Sequence, residues 1–393
     1  MTIDPTTAAA EISTEAFAAN IGAISELVAP VTVMVVAKAD GYGHGLLTMT
    51  AAARAAGAAW LGVAVPGEAR AVRAAGDRGR LFCWLYGPGE DLTDLVAADV
   101  DLGVSSIDEL ARIVAAGRRA GRAARIHLKI DTGLTRSGAP AALWPRLCAS
   151  AATAEDAGDI EVVGLWSHLA TAEDPEHRSV ASQIARFDEA VAVAHSYGLK
   201  PELRHLANSA GALGLPKARY EMVRGGIAAY GVDPGVDVAE RAGITLRPVM
   251  TLVAHLVQVK AIAAGTSVSY GHTWTADRDT CVGLVPIGYA DGLLRHAGNA
   301  GTVTVNGRAV PIVGRVCMDQ CLVDLGPQPT DRVGDRVVVF GAGGQRANDL
   351  AAACGTVGYE IVTRIGPRLR RVLTSGKDAP IGTSPPATTR RGD

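Results

Sequence analysis

"VMVVAKADGYGHG", residues 33–45, runs five apolar or small residues into Lys38 and then at once into three glycines, Tyr42 and His44. A short β-branched run that ends in glycines reads as a buried strand followed by a tight turn. The lysine therefore stands at the C-terminal end of a strand. Comparable runs follow at "WLGVAV" (60–65), "RLFCWLY" (80–86), "DLGVSS" (101–106), "ARIHLKID" (124–131), "IEVVGLWSHL" (160–169), "ELRHLAN" (202–208) and "YEMVRGGIAAYG" (220–231), with alanine-rich segments of helical spacing between them. Strand and helix in alternation over such a span predict a (β/α)8 TIM-type barrel, with an open doubly wound sheet as the alternative.

Beyond about residue 240 the texture changes. Closely spaced β-type runs such as "PVMTLVAHLVQVKAI" and "GTVTVNGRAVPIVGRVCMDQCLVDL" alternate with turn residues, and Asn306-Gly307 carries the signature of a two-residue hairpin. The expected organisation is a barrel over residues 1–240, whose first short strand joins the second domain if it is shared, a mostly β domain over 241–376, and a disordered tail over 377–393. A helix is expected to begin near Ser13 or Thr14.

With 393 residues and 48% hydrophobic content the chain can bury a large core. Its 38 basic against 40 acidic residues provide no basic field for nucleic acid, so a small polar partner is the expectation. Cys83, Cys148, Cys281, Cys317, Cys321 and Cys354 show no paired metal spacing and read as buried free thiols, with no metal implied. Neither a secretory leader nor a long uncharged apolar run is visible, which predicts a cytoplasmic protein with no membrane partner.

Side chains at the C-terminal ends of barrel strands face the mouth where such folds place their chemistry. There a desolvated lysine has a lowered pKa, and its neutral amine can attack a carbonyl to form an imine. Tyr42 and the glycine-rich turn after Lys38 permit close approach to a ligand. Ser209 in "HLANSAG" and the Gly225-Gly226-Ile227 backbone close the last two strands, where hydroxyls and amides of these barrels bind phosphate. An amine facing a phosphate cup matches the two ends of pyridoxal 5'-phosphate.

The ordered set "AKADGYGHG", "DTGLTRSG", "HLANSAG", "RGGIAAYG", "SVSYGHTW", "PIGYADG" and "GRVCMDQ" resembles the alanine racemase family over about residues 10–370. The resemblance implies interconversion of L- and D-alanine, supplying D-alanine for peptidoglycan, with Lys38 carrying pyridoxal 5'-phosphate. It implies two acid/base groups flanking the substrate α-carbon: Lys38 on the D-alanine side and Tyr270 on the L-alanine side. Since a phenol is a poor base at neutral pH, His168 is implied as its hydrogen-bond partner. Arg224 is implied to meet the pyridine nitrogen, with His205 as its brace. Arg136 would support the cofactor's phenolic oxygen and the substrate carboxylate, and Lys129 matches a lysine that is often carbamylated. Phosphate contacts are implied for Tyr42, Ser209, Gly226, Ile227 and Tyr359. Met318 and Asp319 would serve the carboxylate and the pocket wall, with Tyr289 and Asp291 at the entrance. A homodimer with composite sites follows from the resemblance, Tyr270, Met318 and Tyr289 coming from the partner subunit. The alternatives are a broad-specificity amino-acid racemase on the same scaffold and a non-catalytic pyridoxal phosphate carrier.

Overall fold

The computed structural model describes Asp4 and residues 7–374; the expected tail at 377–393 lies outside the described residues. Two compact units emerge: Ala16–Leu246 forms one, and the described residues up to Glu15 and from Arg247 onward form the other.

The first strand, β1 (Ala8–Ile12), precedes α1 (Thr14–Val28). Eight parallel strands follow: β2 (Thr32–Val36), β3 (Trp60–Val63), β4 (Arg80–Cys83), β5 (Val100–Val104), β6 (Ala124–Lys129), β7 (Ile160–Trp166), β8 (Leu203–His205) and β9 (Met222–Gly225). They pair in the order β8-β7-β6-β5-β4-β3-β2-β9. Just past β8, the Arg224 amide of β9 donates to the Ala207 carbonyl at 3.0 Å and carries the ring toward closure. This is the barrel, not the open sheet. Its strands are covered on both faces, which is why they read as near-continuous apolar runs. Met34, Trp60, Phe82, Val163, Trp166 and Met222 form one buried cluster.

The left-handed turn α2 (Lys38–Tyr42) and helices α3 (Leu46–Ala55), α4 (Pro66–Ala74), α5 (Thr93–Ala97), α6 (Ile107–Ala120), α7 (Trp144–Asp156), α8 (Arg178–Ser196) and α9 (Ser209–Gly214) fill the connections. Helix α6 shows the sequence logic clearly. Ser106 caps it by accepting from the Glu109 amide at 3.1 Å, acids occupy its first turn, and Gly121 ends it in the left-handed region at φ 68°.

In the second unit, β1 lies between β10 (Met250–His255), with which it runs antiparallel, and β19 (Arg371–Leu373), with which it runs parallel. The remaining strands of that sheet are β11 (Gln258–Ile262), β14 (Thr280–Val285), β15 (Thr302–Val305), β16 (Arg308–Val313), β17 (Cys321–Gly326) and β18 (Arg336–Phe340), while β12 (Ser267–Val268) and β13 (Trp274–Thr275) form a separate ribbon. Asn306 and Gly307, at φ 48° and 76°, make the hairpin between β15 and β16. All six cysteines are free; Cys83, Cys148 and Cys321 are buried, whereas Cys281, Cys317 and Cys354 are only partly covered, a correction to the expectation of six buried thiols.

Candidate active site at the barrel mouth

Strand β2 delivers Lys38 two residues past its end, and the chain then winds backward. Ala39, Asp40, Gly41 and Tyr42 take φ values of 54°, 55°, 61° and 51°, a left-handed turn. Non-glycine residues adopt this region at a cost, and such strain concentrates at functional sites. The turn is held from outside. The Ala39 amide donates to Glu68 Oε1 at 2.6 Å, and Asp40 Oδ1 accepts from the Leu46 amide at 2.7 Å. Lys38 is half-buried, and burial together with the charges of Arg136 and Arg224 pulls its pKa below the usual lysine value, opposed by Glu68.

Lys129, the last residue of β6, is 5% exposed, and its Nζ lies 4.3 Å from the Trp166 ring centre. Burial, then Arg224 and Arg136, bring its pKa down to about 8. Arg136 follows in the next loop, which Asp131 organises by accepting from the amides of Gly133 and Thr135 at 2.9 and 3.0 Å. Its side chain is exposed.

Arg224 on β9 is 5% exposed and bound almost entirely by neutral acceptors. Nη1 donates to the His205 carbonyl at 2.8 Å and to His205 Nδ1 at 3.0 Å. Nη2 donates to the carbonyls of Ser167 and Leu206 at 2.8 and 3.1 Å and to His168 Nδ1 at 3.1 Å. Nε–H is the donor left without an acceptor among the described residues. His168 must accept at Nδ1 because a guanidinium only donates, so its proton sits on Nε2. Burial and the surrounding cations hold His168 well below the usual histidine pKa, which keeps it neutral. It lies two residues beyond β7, not on the strand as the sequence suggested.

Between β8 and β9 the hydroxyl of Ser209 accepts from the amides of Gly226 and Ala228 at 2.9 and 3.4 Å. A Cβ on Gly226 would stand 2.5 Å from the Tyr42 hydroxyl, so only glycine allows both hydroxyls to converge on this turn. Ile227 opens the next turn and is 1% exposed. Four cations thus gather near one another, Lys38, Lys129, Arg136 and Arg224, and among the described residues none forms a salt bridge with a carboxylate. With the paired hydroxyls and the Nε–H donor, this set fits an anionic ligand that has an aldehyde at one end and a ring acceptor, and pyridoxal 5'-phosphate has these features.

On the second unit, Tyr270 opens a 3-10 turn behind Ser269, whose φ is 62°, and is 70% exposed. Met318 is 54% and Tyr289 39% exposed. Asp319 is engaged by Arg368 Nη1 at 2.7 Å, so its carboxylate serves an arginine and would repel, not bind, another carboxylate. Asp291, expected at the entrance, is fully buried: its Oδ2 accepts from the Gly288 amide at 3.0 Å, and Arg368 Nε lies 3.3 Å from its Oδ1. It shapes the "GYADG" loop from within. Tyr359 belongs to a short helix, Gly358–Thr363, and is partly covered. His272 is exposed.

Sequence reasoning missed His127 and Asp101, both at zero exposure and both in line with His205. The signal was present. His127 lies two residues before Lys129 on one strand, so the two side chains share a face.

None of the described helices is long and apolar enough to cross a membrane. A family model described as the N-terminal domain of alanine racemase matches residues 12–234, and one described as its C-terminal domain matches residues 249–373. An alanine racemase of Streptomyces coelicolor is 48% identical over 379 residues, covering 94% of this chain and 96% of the relative. One from Beutenbergia cavernae is 47% identical and covers 95% and 99%. Among solved structures, alanine racemase from D-cycloserine producing Streptomyces lavendulae matches at a TM-score of 0.92 and 43% identity, over 95% of this chain and 99% of that one. That of Bacillus anthracis with bound L-Ala-P matches at 0.86 and 30% identity, over 95% and 96%. The chain belongs to the alanine racemase family, pyridoxal 5'-phosphate-dependent isomerases that interconvert L- and D-alanine.

Proposed function

We propose that this chain racemises alanine with two acid/base groups, Lys38 Nζ on one face of the substrate α-carbon and Tyr270 Oη on the other, the tyrosine reaching the barrel mouth from a second copy in a cytoplasmic homodimer. The observation that carries the reading is the state of Lys38: a partly buried amine with a lowered pKa and no carboxylate partner among the described residues. When bound, pyridoxal 5'-phosphate supplies an aldehyde that takes up an amine and a ring that withdraws electrons from the bond to be broken.

The chain's own residues do the rest. Lys38 Nζ would hold the cofactor, and as a free amine it would remove or return the α-proton on the D-alanine side. Tyr270 Oη does the same on the L-alanine side. A phenolate needs a donor to be stable at neutral pH, and His168, with its proton on Nε2, is such a donor. Arg224 Nε–H meets the ring nitrogen without protonating it, because a guanidinium holds its proton far more tightly than a pyridine-type nitrogen. By leaving that nitrogen unprotonated, Arg224 would restrain electron withdrawal and favour return of the proton to the α-carbon. Arg136 orients the substrate carboxylate, aided by the Met318 backbone, and Asp319 acts on the pocket through Arg368. Ser209, Tyr42, Tyr359 and the backbone of Gly226 and Ile227 hold the phosphate. Carbamylation of Lys129 would turn an unpaired buried cation into an anion beside Arg136. In this role the enzyme supplies D-alanine for peptidoglycan.

Mixing subunits tests the composite site. Lys38→Ala and Tyr270→Phe homodimers are each expected to be nearly inactive, whereas co-refolding them in equal amounts should restore about a quarter of the sites, since half the dimers are mixed and each mixed dimer has one intact site. Failure to recover any activity, with mixed dimers demonstrated, would place both bases on one chain and overturn the reading.

A further inference from the structure

Behind Arg224 a row of polar side chains crosses the barrel interior, and the mechanism above makes no use of it. Arg224 Nη1 lies 3.0 Å from His205 Nδ1, His205 Nε2 lies 2.9 Å from His127 Nδ1, and His127 Nε2 lies 3.3 Å from Asp101 Oδ2. All four side chains are between 0% and 5% exposed. Phe82 packs on both imidazoles, at 4.5 and 5.7 Å between ring centres, and Trp166 stacks on His205 at 5.6 Å. Water cannot correct a mismatched donor here, so each contact must pair a donor with an acceptor.

The two ends of the row fix every proton in it. A guanidinium only donates, so His205 accepts at Nδ1 and carries its proton on Nε2. That proton faces His127 Nδ1, which must then accept, leaving the His127 proton on Nε2. A carboxylate only accepts, and Asp101 receives it. Reversing any one ring sets two N–H groups or two lone pairs face to face. Gly164 on β7 makes the meeting of the rings possible, because a Cβ there would lie 2.4 Å from His127 Nδ1.

We propose that His127 and Asp101 are positioning residues for Arg224, forming with His205 a one-way donor row that lends a guanidinium without a carboxylate of its own the counter-charge of a carboxylate at the other end of the barrel. Asp101 is suited to this. Its burial works against its charge, but the His127 hydrogen bond and the charges of Arg80 and Arg125 keep its pKa below the usual carboxylate value. Burial lowers the pKa of both histidines, against the upward pull of Asp101 on His127, which favours the neutral rings the row requires. The carboxylate makes each imidazole a better acceptor toward Arg224, and Nη1 is fixed so that Nε–H keeps one direction. The inference rests on the assignment of Arg224 to the cofactor ring.

Long-range 1H–15N correlation on the holoenzyme with 15N-labelled histidine reads the tautomers directly. Both His127 and His205 are expected as neutral Nε2–H forms across pH 6 to 9, and an Nδ1–H form or a titration of either ring overturns the proposal. In Asp101→Asn the side-chain oxygen can still accept while the charge is gone. The cofactor dissociation constant is expected to rise about tenfold, the scale typical when a group that orients a ligand-binding residue is lost. Arg125→Gln removes an ion pair from the same carboxylate without entering the row and should leave tautomers and cofactor affinity within about twofold of wild type. Equal losses in the two variants would reduce Asp101 to a structural anchor and refute the proposal. If Asp101→Asn does not fold, the tautomer measurement on the unaltered enzyme still decides. Unchanged cofactor affinity in Arg224→Gln would remove the assignment of Arg224 itself and leave the tautomer result standing, so the two failures are distinguishable.

Discussion

The two ends of the barrel treat charge in opposite ways. At the N-terminal ends of the strands four buried or half-buried arginines meet carboxylates: Asp77 takes Arg54 at 2.7 Å and Arg73 at 2.8 Å, and Asp101 takes Arg80 at 2.8 Å and Arg125 at 2.6 Å. At the C-terminal ends Lys38, Lys129, Arg136 and Arg224 crowd together, and among the described residues none has such a partner. Matched charges at one end fasten two helices to the loop before β4 and tie β5 to its neighbours β4 and β6. Unmatched cations at the other are stable only because desolvation has softened two lysines and neutral acceptors surround one arginine, and they leave a site that an anion completes. The row from Asp101 to Arg224 joins the two ends.

The contrast breaks most sharply at Lys38. Replacing it with alanine should lower kcat/KM for alanine by about 10⁴-fold or more, as loss of both the imine-forming amine and a base requires, with the imine absorbance lost as well. Substantial residual turnover in steady-state assays would mean that the mouth is not the reaction site.

At the opposite end, Asp77→Ala should cost about 3 kcal/mol of unfolding free energy, because it leaves a buried guanidinium unpaired, while kcat/KM stays within about twofold. Denaturant titration beside kinetics checks both. A large loss of activity with unchanged stability would erase the distinction between the ends.

Lys129 gives the comparison a pH dependence. Its pKa is lowered from 10.5 to about 8 in the fold, so between those values the unfolded chain binds more protons and stability rises with pH. The penalty is fully present below pH 8 and fades toward 10.5; at about 1.36 kcal/mol per pH unit it amounts to about 3 kcal/mol before packing effects. In carbonate-free buffer Lys129→Met should therefore be more stable than wild type near pH 7.5, with the advantage shrinking by pH 10.5. A constant difference would show that the lysine is not desolvated as described.

The smallest effect belongs to the exposed pair of Arg70 with Asp94, 2.6 Å apart. Arg70→Gln should change stability by less than about 1 kcal/mol and leave activity alone. A larger loss would mean that partner burial is not what separates strong from weak charge matching here.

Much of this was legible in advance because barrel strands state their burial and their ends together. The run before Lys38 announced a covered strand and the glycines announced its turn, so the lysine's place at the mouth followed. Ser209 and Gly226 were found by the same logic, since they follow consecutive strands. Asp291 was misjudged because "GYADG" looks like a surface loop, and nothing in its spacing says that Arg368, far along the chain, comes back to meet its carboxylate. His127 was passed over because a histidine inside an apolar strand reads as core until its neighbours across the barrel are known.

From the sequence alone came the barrel, the β domain, the amine and the residues grouped around it, since periodicity, turn chemistry and motif order are local properties of the chain. Which atoms carry the protons came only from the tertiary structure. A tautomer depends on whether the group opposite donates or accepts, and Arg224, His205, His127 and Asp101 sit on four different strands or strand ends that only barrel closure brings within hydrogen-bonding distance.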